Sequence, residues 1–137
     1  MVNLLLVSHG DLADGMLSAM HLIVGEQEGV VAISLKETDS IDELETRVDA
    51  AIEELSVSGS VLLLVDLFGA SPFNICVKLI AKHPDLQVVT GINLPMLLET
   101  VMQREGQPVE ELAKIASEAG RNGIRSLQEL MDQAAQA

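Results

Sequence analysis

His9, Asp66 and Ser71 are the residues whose types and positions could do chemistry, because each stands where an apolar run gives way to polar residues and glycine. Val2 to Val7 runs into Ser8-His9-Gly10, and Val61 to Val65 runs into Asp66 and the loop Leu67-Phe68-Gly69-Ala70-Ser71-Pro72. Both runs read as fully buried parallel strands followed by helical patterns. In open α/β sheets such carboxyl ends border the ligand crevice. A histidine from one end, facing a carboxylate and a small-residue anion loop from the other, is a minimal device for holding a phosphoryl group.

Each member of that device has a plainer alternative. An imidazole beside a helix N-terminus can accept a phosphoryl group, since the backbone N–H groups there favour an anion; a histidine at a strand end also serves as an ordinary hydrogen-bonding residue. Asp66 could accept a hydrogen bond from one ring nitrogen, fix the tautomer and leave the other nitrogen's lone pair free to attack phosphorus. It could equally be a helix-capping or turn carboxylate. Gly69, Ala70 and Ser71, with Leu67 and Phe68 before them, form a candidate phosphate-binding loop with several N–H groups and a hydroxyl. The same stretch also suits a tight strand-to-helix turn, with Ser71 as N-cap and Pro72 at the first helical position.

Other candidates carry less. His21 sits within a helical pattern as a partly buried residue, and His83, before Pro84, reads as a solvated loop residue. Cys76 falls on one helix face with Phe73, Leu79 and Ile80, as an inert core thiol does. Met16, Met20, Met96 and Met102 read as packing. The scattered histidines and single cysteine offer no metal-ligand spacing, and neither a Walker loop nor a dinucleotide fingerprint occurs, so no cofactor is expected. A serine hydrolase built on His9, Asp66 and Ser71 is disfavoured by the missing Gly-x-Ser-x-Gly elbow. Ser8 cannot partner His9 either, because adjacent strand side chains point to opposite faces.

The elements that must position these residues alternate between strand and helix patterns, which argues for a parallel sheet in a single doubly wound, three-layer α/β domain. After the first strand, Leu12, Ala13, Met16, Leu17, Met20 and Ile23 mark a helix stopped by Gly25. Val30 to Leu35 is the second strand. Ser40 and Glu43 form a capping-box pattern before a stripe of Ile41, Leu44, Val48, Ile52 and Leu55. Ser60 to Asp66 is the third strand, and a helix from Ser71-Pro72 runs to about Lys82. Gln87 to Ile92 is the fourth; Asn93-Leu94-Pro95 and Pro108 open two more helices. Gly123 to Leu127 reads as either a last strand or the start of a C-terminal helix, and 132–137 as a frayed end.

Composition bounds the partners. The chain has 137 residues, 48% of them hydrophobic, enough for one domain with a sizeable core. No apolar run approaches the roughly 20 residues of a membrane span, and no signal peptide is apparent; with one cysteine, a reducing cytoplasm is the expected compartment. Eight Lys+Arg against 21 Asp+Glu give a formal charge of −13, which repels nucleic acid and steers toward basic protein partners. With two phenylalanines and no Trp or Tyr, there is no aromatic platform for sugars or bases.

The motifs Val7-Ser8-His9-Gly10, Gly25-Glu26-Gln27, Val65-Asp66-Leu67-Phe68-Gly69-Ala70-Ser71-Pro72-Phe73-Asn74 and Gly91-Ile92-Asn93-Leu94-Pro95-Met96-Leu97 together resemble the enzyme IIA component of the mannose-type sugar phosphotransferase system. The resemblance covers residues 1–127, leaving 128–137 as a tail. It implies a phosphohistidine relay in which His9 accepts phosphate from the carrier HPr and passes it to a IIB component, which serves membrane IIC and IID components. It further implies that Nε2 carries the phosphate, that Asp66 holds Nδ1, and that Ser71 and nearby amides contact the phosphate. The family forms homodimers by exchanging a C-terminal strand, here Gly123 to Leu127. The chain departs from the commoner pattern at Leu67-Phe68, where Thr-Trp is frequent, and at Ala70, where glycine is frequent. The phosphoryl-donor subunit of dihydroxyacetone kinase and a phosphorylation-responsive regulatory module are the rival readings. IIB is expected as a separate polypeptide, and the chain as a cytoplasmic protein peripherally associated with the transporter.

Overall fold

The computed structural model describes residues 1–137 apart from Phe68 and Ala137, with the side chains of Ala70, Ser71 and Pro72 outside the description. Four parallel strands, β1 (Asn3–His9), β2 (Val30–Leu35), β3 (Val61–Val65) and β4 (Gln87–Thr90), lie in the order β2-β1-β3-β4. Val7 pairs with Val65 and His9 with Leu35. The chain moves outward one way from β1 and the other way from β3, so the topological switch falls between these two strands. Their carboxyl ends carry His9 and Asp66.

Helices cover both faces. On one side α1 (Leu12–Val24), α4 (Leu94–Gln103) and α5 (Val109–Asn122) set Met16, Met20, Leu97, Leu112 and Ala116 against Leu4, Leu6, Leu62 and Leu64. On the other, α2 (Ile41–Ser56) and α3 (Ala70–Lys82) set Leu44, Val48, Ile52, Ile75, Cys76 and Leu79 against Leu5, Leu63 and Val65. The period of two along β1 and β3 thus splits the leucines between two cores. Each such side chain contributes roughly 1.5–3 kcal/mol on burial, and β1 and β3 are the two central strands, buried on both faces.

Local signals start several helices as expected. Ser40 Oγ accepts from the Glu43 N–H at 3.1 Å to open α2, and Asn93 Oδ1 accepts from the Met96 N–H at 3.0 Å to open α4. Of the segment Gly123 to Leu127, read as a last strand or a helix start, only Leu127 is helical in the single chain: an irregular link leads into α6 (Leu127–Gln136), which takes in 132–136, where a frayed end was expected. None of its described residues is buried. Ile41 and Met102, expected in apolar stripes, are 41% and 69% exposed; Ile41 is the first residue of α2 and Met102 the last but one of α4.

The amino-terminal ends of the strands are tied down by polar groups. Asn3 Nδ2 donates to the Leu55 carbonyl at 2.8 Å and to Ser58 Oγ at 2.9 Å. Gly29 passes so close to the Asn3 side chain that a Cβ would collide with it, and its φ of +68° also favours glycine. Arg104, only 3% exposed, donates to the Glu28 carbonyl at 2.5 Å and, at longer range, to the carbonyls of Val2 and Gly29. Burial pulls its pKa down.

Candidate functional site

His9 is the last residue of β1, and Asp66 directly follows β3. Asp66 N–H donates to the Val7 carbonyl at 3.2 Å, so the ladder between the two strands extends to the residue that bears the carboxylate. Asp66 Oδ2 then accepts twice from the neighbouring strand end: from His9 N–H at 2.9 Å and at His9 Nδ1 at 3.0 Å. A carboxylate only accepts, so in the neutral ring this pairing selects the tautomer with hydrogen on Nδ1 and the lone pair on Nε2. The two side chains are unequally exposed, His9 at 52% and Asp66 at 13%. The holder is packed into the rim while the held ring stands in the open.

The turn after His9 is also fixed by long-range bonds. Gly10, at φ +55°, adopts a left-handed conformation that a side chain would strain, and its N–H donates to the Leu35 carbonyl at 2.8 Å. Ser8, buried where His9 is exposed, accepts from the Ala13 N–H at 2.8 Å. That role was not read from the sequence. The alternation of strand faces, which excluded Ser8 as a catalytic partner, also sends its hydroxyl under the start of α1.

The loop after Asp66 leads to the N-terminus of α3. The helix begins at Ala70 with Gly69 as the N-cap residue, where Ser71 had been expected to cap and Pro72 to be the first helical residue. The first intrahelical bond runs from Phe73 N–H to the Gly69 carbonyl at 3.0 Å, which puts Ser71 in the first turn. Extended backbone at Gly69, φ −124° and ψ −178°, permits the earlier start without any side-chain cap. First-turn amides have no intrahelical acceptor and no acidic residue lies in that turn, so this helix end favours an anion. Leu67 is exposed, and Phe68, together with the Ser71 hydroxyl, lies outside the described residues.

The remaining candidates separate from this rim. His21 is exposed on α1, contrary to the expected partial burial. His83, expected to be solvated, is the C-cap residue of α3, and its Nε2 lies 2.6 Å from Asp49 Oδ1. Lys82 Nζ bonds the other Asp49 oxygen at 2.5 Å and also pairs with Glu53. Burial pushes the Cys76 thiol up, in keeping with an inert core thiol, although Phe73 and Ile80 of its helix are exposed. Among the described residues no helix is long and apolar enough to cross a membrane.

Comparison with known proteins gives a consistent set. Residues 3–117 match the family described as EIIA-man, PTS system fructose IIA component. The mannose-specific EIIAB component of the Escherichia coli K12 phosphotransferase system is 35% identical over 121 residues, covering 88% of this chain but only 38% of that protein. The fructose-specific EIIA component of Bacillus subtilis is 29% identical, over 82% of this chain and 77% of its own. Among solved structures, phosphotransferase component EIIA from Streptococcus agalactiae superposes with a TM-score of 0.80 at 32% identity, covering 94% of this chain and 99% of its own. The mannose/sorbose-specific IIA subunit from Enterococcus faecalis gives 0.82 at 29% identity, covering 91% and 93%.

Proposed function

The chain belongs to the EIIA-man family of sugar phosphotransferase components, and from that premise we propose that it is a phosphocarrier working through His9. The observation that carries the proposal is the double acceptance by Asp66 Oδ2, which orients the ring and frees Nε2 at an exposed strand end. A site for a small substrate would enclose it. An open rim suits a donor that is itself a protein.

In the proposed cycle the Nε2 lone pair attacks phosphorus of the phosphohistidine of HPr. A bond from Nε2 to phosphorus forms as the bond from phosphorus to the donor imidazole breaks, and the donor ring leaves with that electron pair. Positive charge grows on the His9 ring, and the Asp66 carboxylate against Nδ1 stabilises it. Amides of the first turn of α3, with the Ser71 hydroxyl, hold the phosphate oxygens. The second half reverses the first: a IIB histidine attacks and His9 is the leaving group. Leu12, Leu67 and Phe73, exposed at 49%, 60% and 53% around this rim, supply an apolar contact for the partners. The charge of −13 steers a basic one. This relay belongs in the cytoplasm, reaching the membrane IIC and IID components only through IIB.

A homodimer is part of the same reading. Ile124, Leu127, Leu130 and Met131 are 77%, 71%, 41% and 56% exposed, an apolar series on a terminal segment of the single chain. A second copy would cover it, and light scattering showing a stable monomer would refute this. For the carrier role, phosphorylated HPr should label the protein at His9 in an acid-labile form, and His9→Ala should remove the label. Full labelling of that variant would overturn the proposal.

A further inference from the structure

We propose that Ser8 is a positioning residue for His9, acting through the turn that joins β1 to α1; the proposal rests on the phosphocarrier reading for its consequence but not for its geometry. The N-cap residue of α1 is Asp11, a type whose carboxylate ordinarily accepts from the second or third helical N–H. Here Asp11 makes no such bond. Ala13, the second helical residue, instead donates its N–H at 2.8 Å to Ser8 Oγ, a hydroxyl five residues upstream and inside the strand. Ser8 is 2% exposed, held in register opposite Ser34 of β2.

That bond closes a short loop whose members are Ser8, His9, Gly10, Asp11, Leu12 and Ala13. The loop has three independent anchors: His9 N–H on Asp66, Gly10 N–H on the Leu35 carbonyl, and Ala13 N–H on Ser8. The Ser8 hydroxyl is also 3.5 Å from the Gly10 carbonyl, at the outer limit of a hydrogen bond. Removing Ser8 Oγ leaves the buried Ala13 N–H without its acceptor, and Asp11, the N-cap residue with no cap bond of its own, is of a type able to replace it, whereas the Asp14 carboxylate already accepts from Ser34 Oγ at 3.1 Å. A carboxylate drawn into that place would rotate the turn and bring negative charge toward the ring that must receive a phosphoryl group. Ser8 thus caps the helix with a neutral group and keeps His9 at the distance Asp66 requires.

The test compares Ser8→Ala and Ser8→Thr by nitrogen NMR of the His9 ring and by transfer kinetics from phosphorylated HPr. In the intact protein the ring nitrogens should show one tautomer, with hydrogen on Nδ1. Ser8→Ala should move both signals toward averaged values and lower kcat by about 10-fold with KM for the donor unchanged, as a small misplacement of a reacting group does. Ser8→Thr, which keeps the hydroxyl, should restore both. Should Ser8→Ala fail to fold, Ser8→Cys, a much weaker acceptor of similar size, carries the same comparison. Unchanged ring signals in a folded Ser8→Ala or Ser8→Cys protein, or a raised KM at constant kcat, would overturn the proposal. A single-tautomer ring in an intact protein that accepts no phosphate would refute the phosphocarrier reading and leave the placement of Ser8 standing.

Discussion

Two histidine–aspartate pairs stand at opposite ends of the same sheet, and they are built for different purposes. His9 and Asp66 meet at 3.0 Å on the carboxyl rim; His83 and Asp49 meet at 2.6 Å on the amino rim. The first histidine is 52% exposed and bonded through Nδ1, the second 17% exposed and bonded through Nε2. His9 lies where helices begin and an anion is welcome, whereas His83 closes the C-terminus of α3 beside Lys82. The Asp49 carboxylate is shared with Lys82, so that pair ties α2 to the end of α3. A histidine held by an aspartate is therefore not by itself a sign of chemistry. The free nitrogen and what surrounds it decide.

The same contrast extends along both rims. On the amino rim Asn3, Arg104 and Asp49 spend their hydrogen-bonding groups on carbonyls, hydroxyls and cations of the fold itself. On the carboxyl rim Ser8 and Gly10 hold the turn on either side of His9, while Asp66 holds the ring itself through Nδ1 and leaves its outer nitrogen open. Substitutions on the two rims should consequently separate rate from stability.

The largest such effect is expected at Asp66. Asp66→Asn keeps the size but presents an amide N–H₂ to Nδ1 and so favours the wrong tautomer; transfer should slow by roughly 100-fold or more in a protein that melts nearly as before. Rapid-quench kinetics beside a thermal melt measure both. Arg104→Ala should do the reverse, costing about 3 kcal/mol in denaturant unfolding by removing a buried side chain and its charged hydrogen bonds to the carbonyls of Val2, Glu28 and Gly29, with transfer per folded molecule unchanged. If Arg104→Ala slowed transfer in the folded protein, the separation of the rims would fail.

Smaller effects sharpen the comparison. Ser71→Ala should slow transfer several-fold while changing stability by less than about 0.5 kcal/mol, since Gly69 rather than Ser71 is the N-cap residue of α3. Loss of about 1 kcal/mol would restore Ser71 as the cap. Asp49 titrates below its ordinary value of 3.8, chiefly through its hydrogen bond from Lys82 and next through that from His83. Its contribution to stability is thus complete above that value and is lost as the pH falls below it through the folded-state pKa. Asp49→Asn should lower the melting temperature slightly at neutral pH, flatten its fall in acid and leave transfer untouched. A profile that keeps its full acid slope would remove Asp49 from the clamp.

The sheet was legible because β1 and β3 are continuous apolar runs that end abruptly, and the helices because Ser40, Asn93 and the apolar stripes announce them. His9 and Asp66 were legible for the same reason: two strands that end side by side bring their next residues together. What escaped depended on distant partners. His83 found Asp49 from 34 positions away, and Arg104 is buried against the start of β1 and the approach to β2, contacts no local pattern carries. The start of α3 moved because Gly69 can take extended backbone without a capping side chain. Ser8 was judged by what it could not do for the ring beside it, and its bond to the next helix went unread.

The most direct measurement is nitrogen NMR of the histidine-labelled protein after phosphorylation by phosphorylated HPr, which identifies both the residue and the ring atom that carry phosphorus. The account predicts one modified histidine, His9, bonded through Nε2, with hydrogen still on Nδ1 and the signals of His21 and His83 unmoved. Phosphate on His83 or His21, or on Nδ1 of His9, would contradict it.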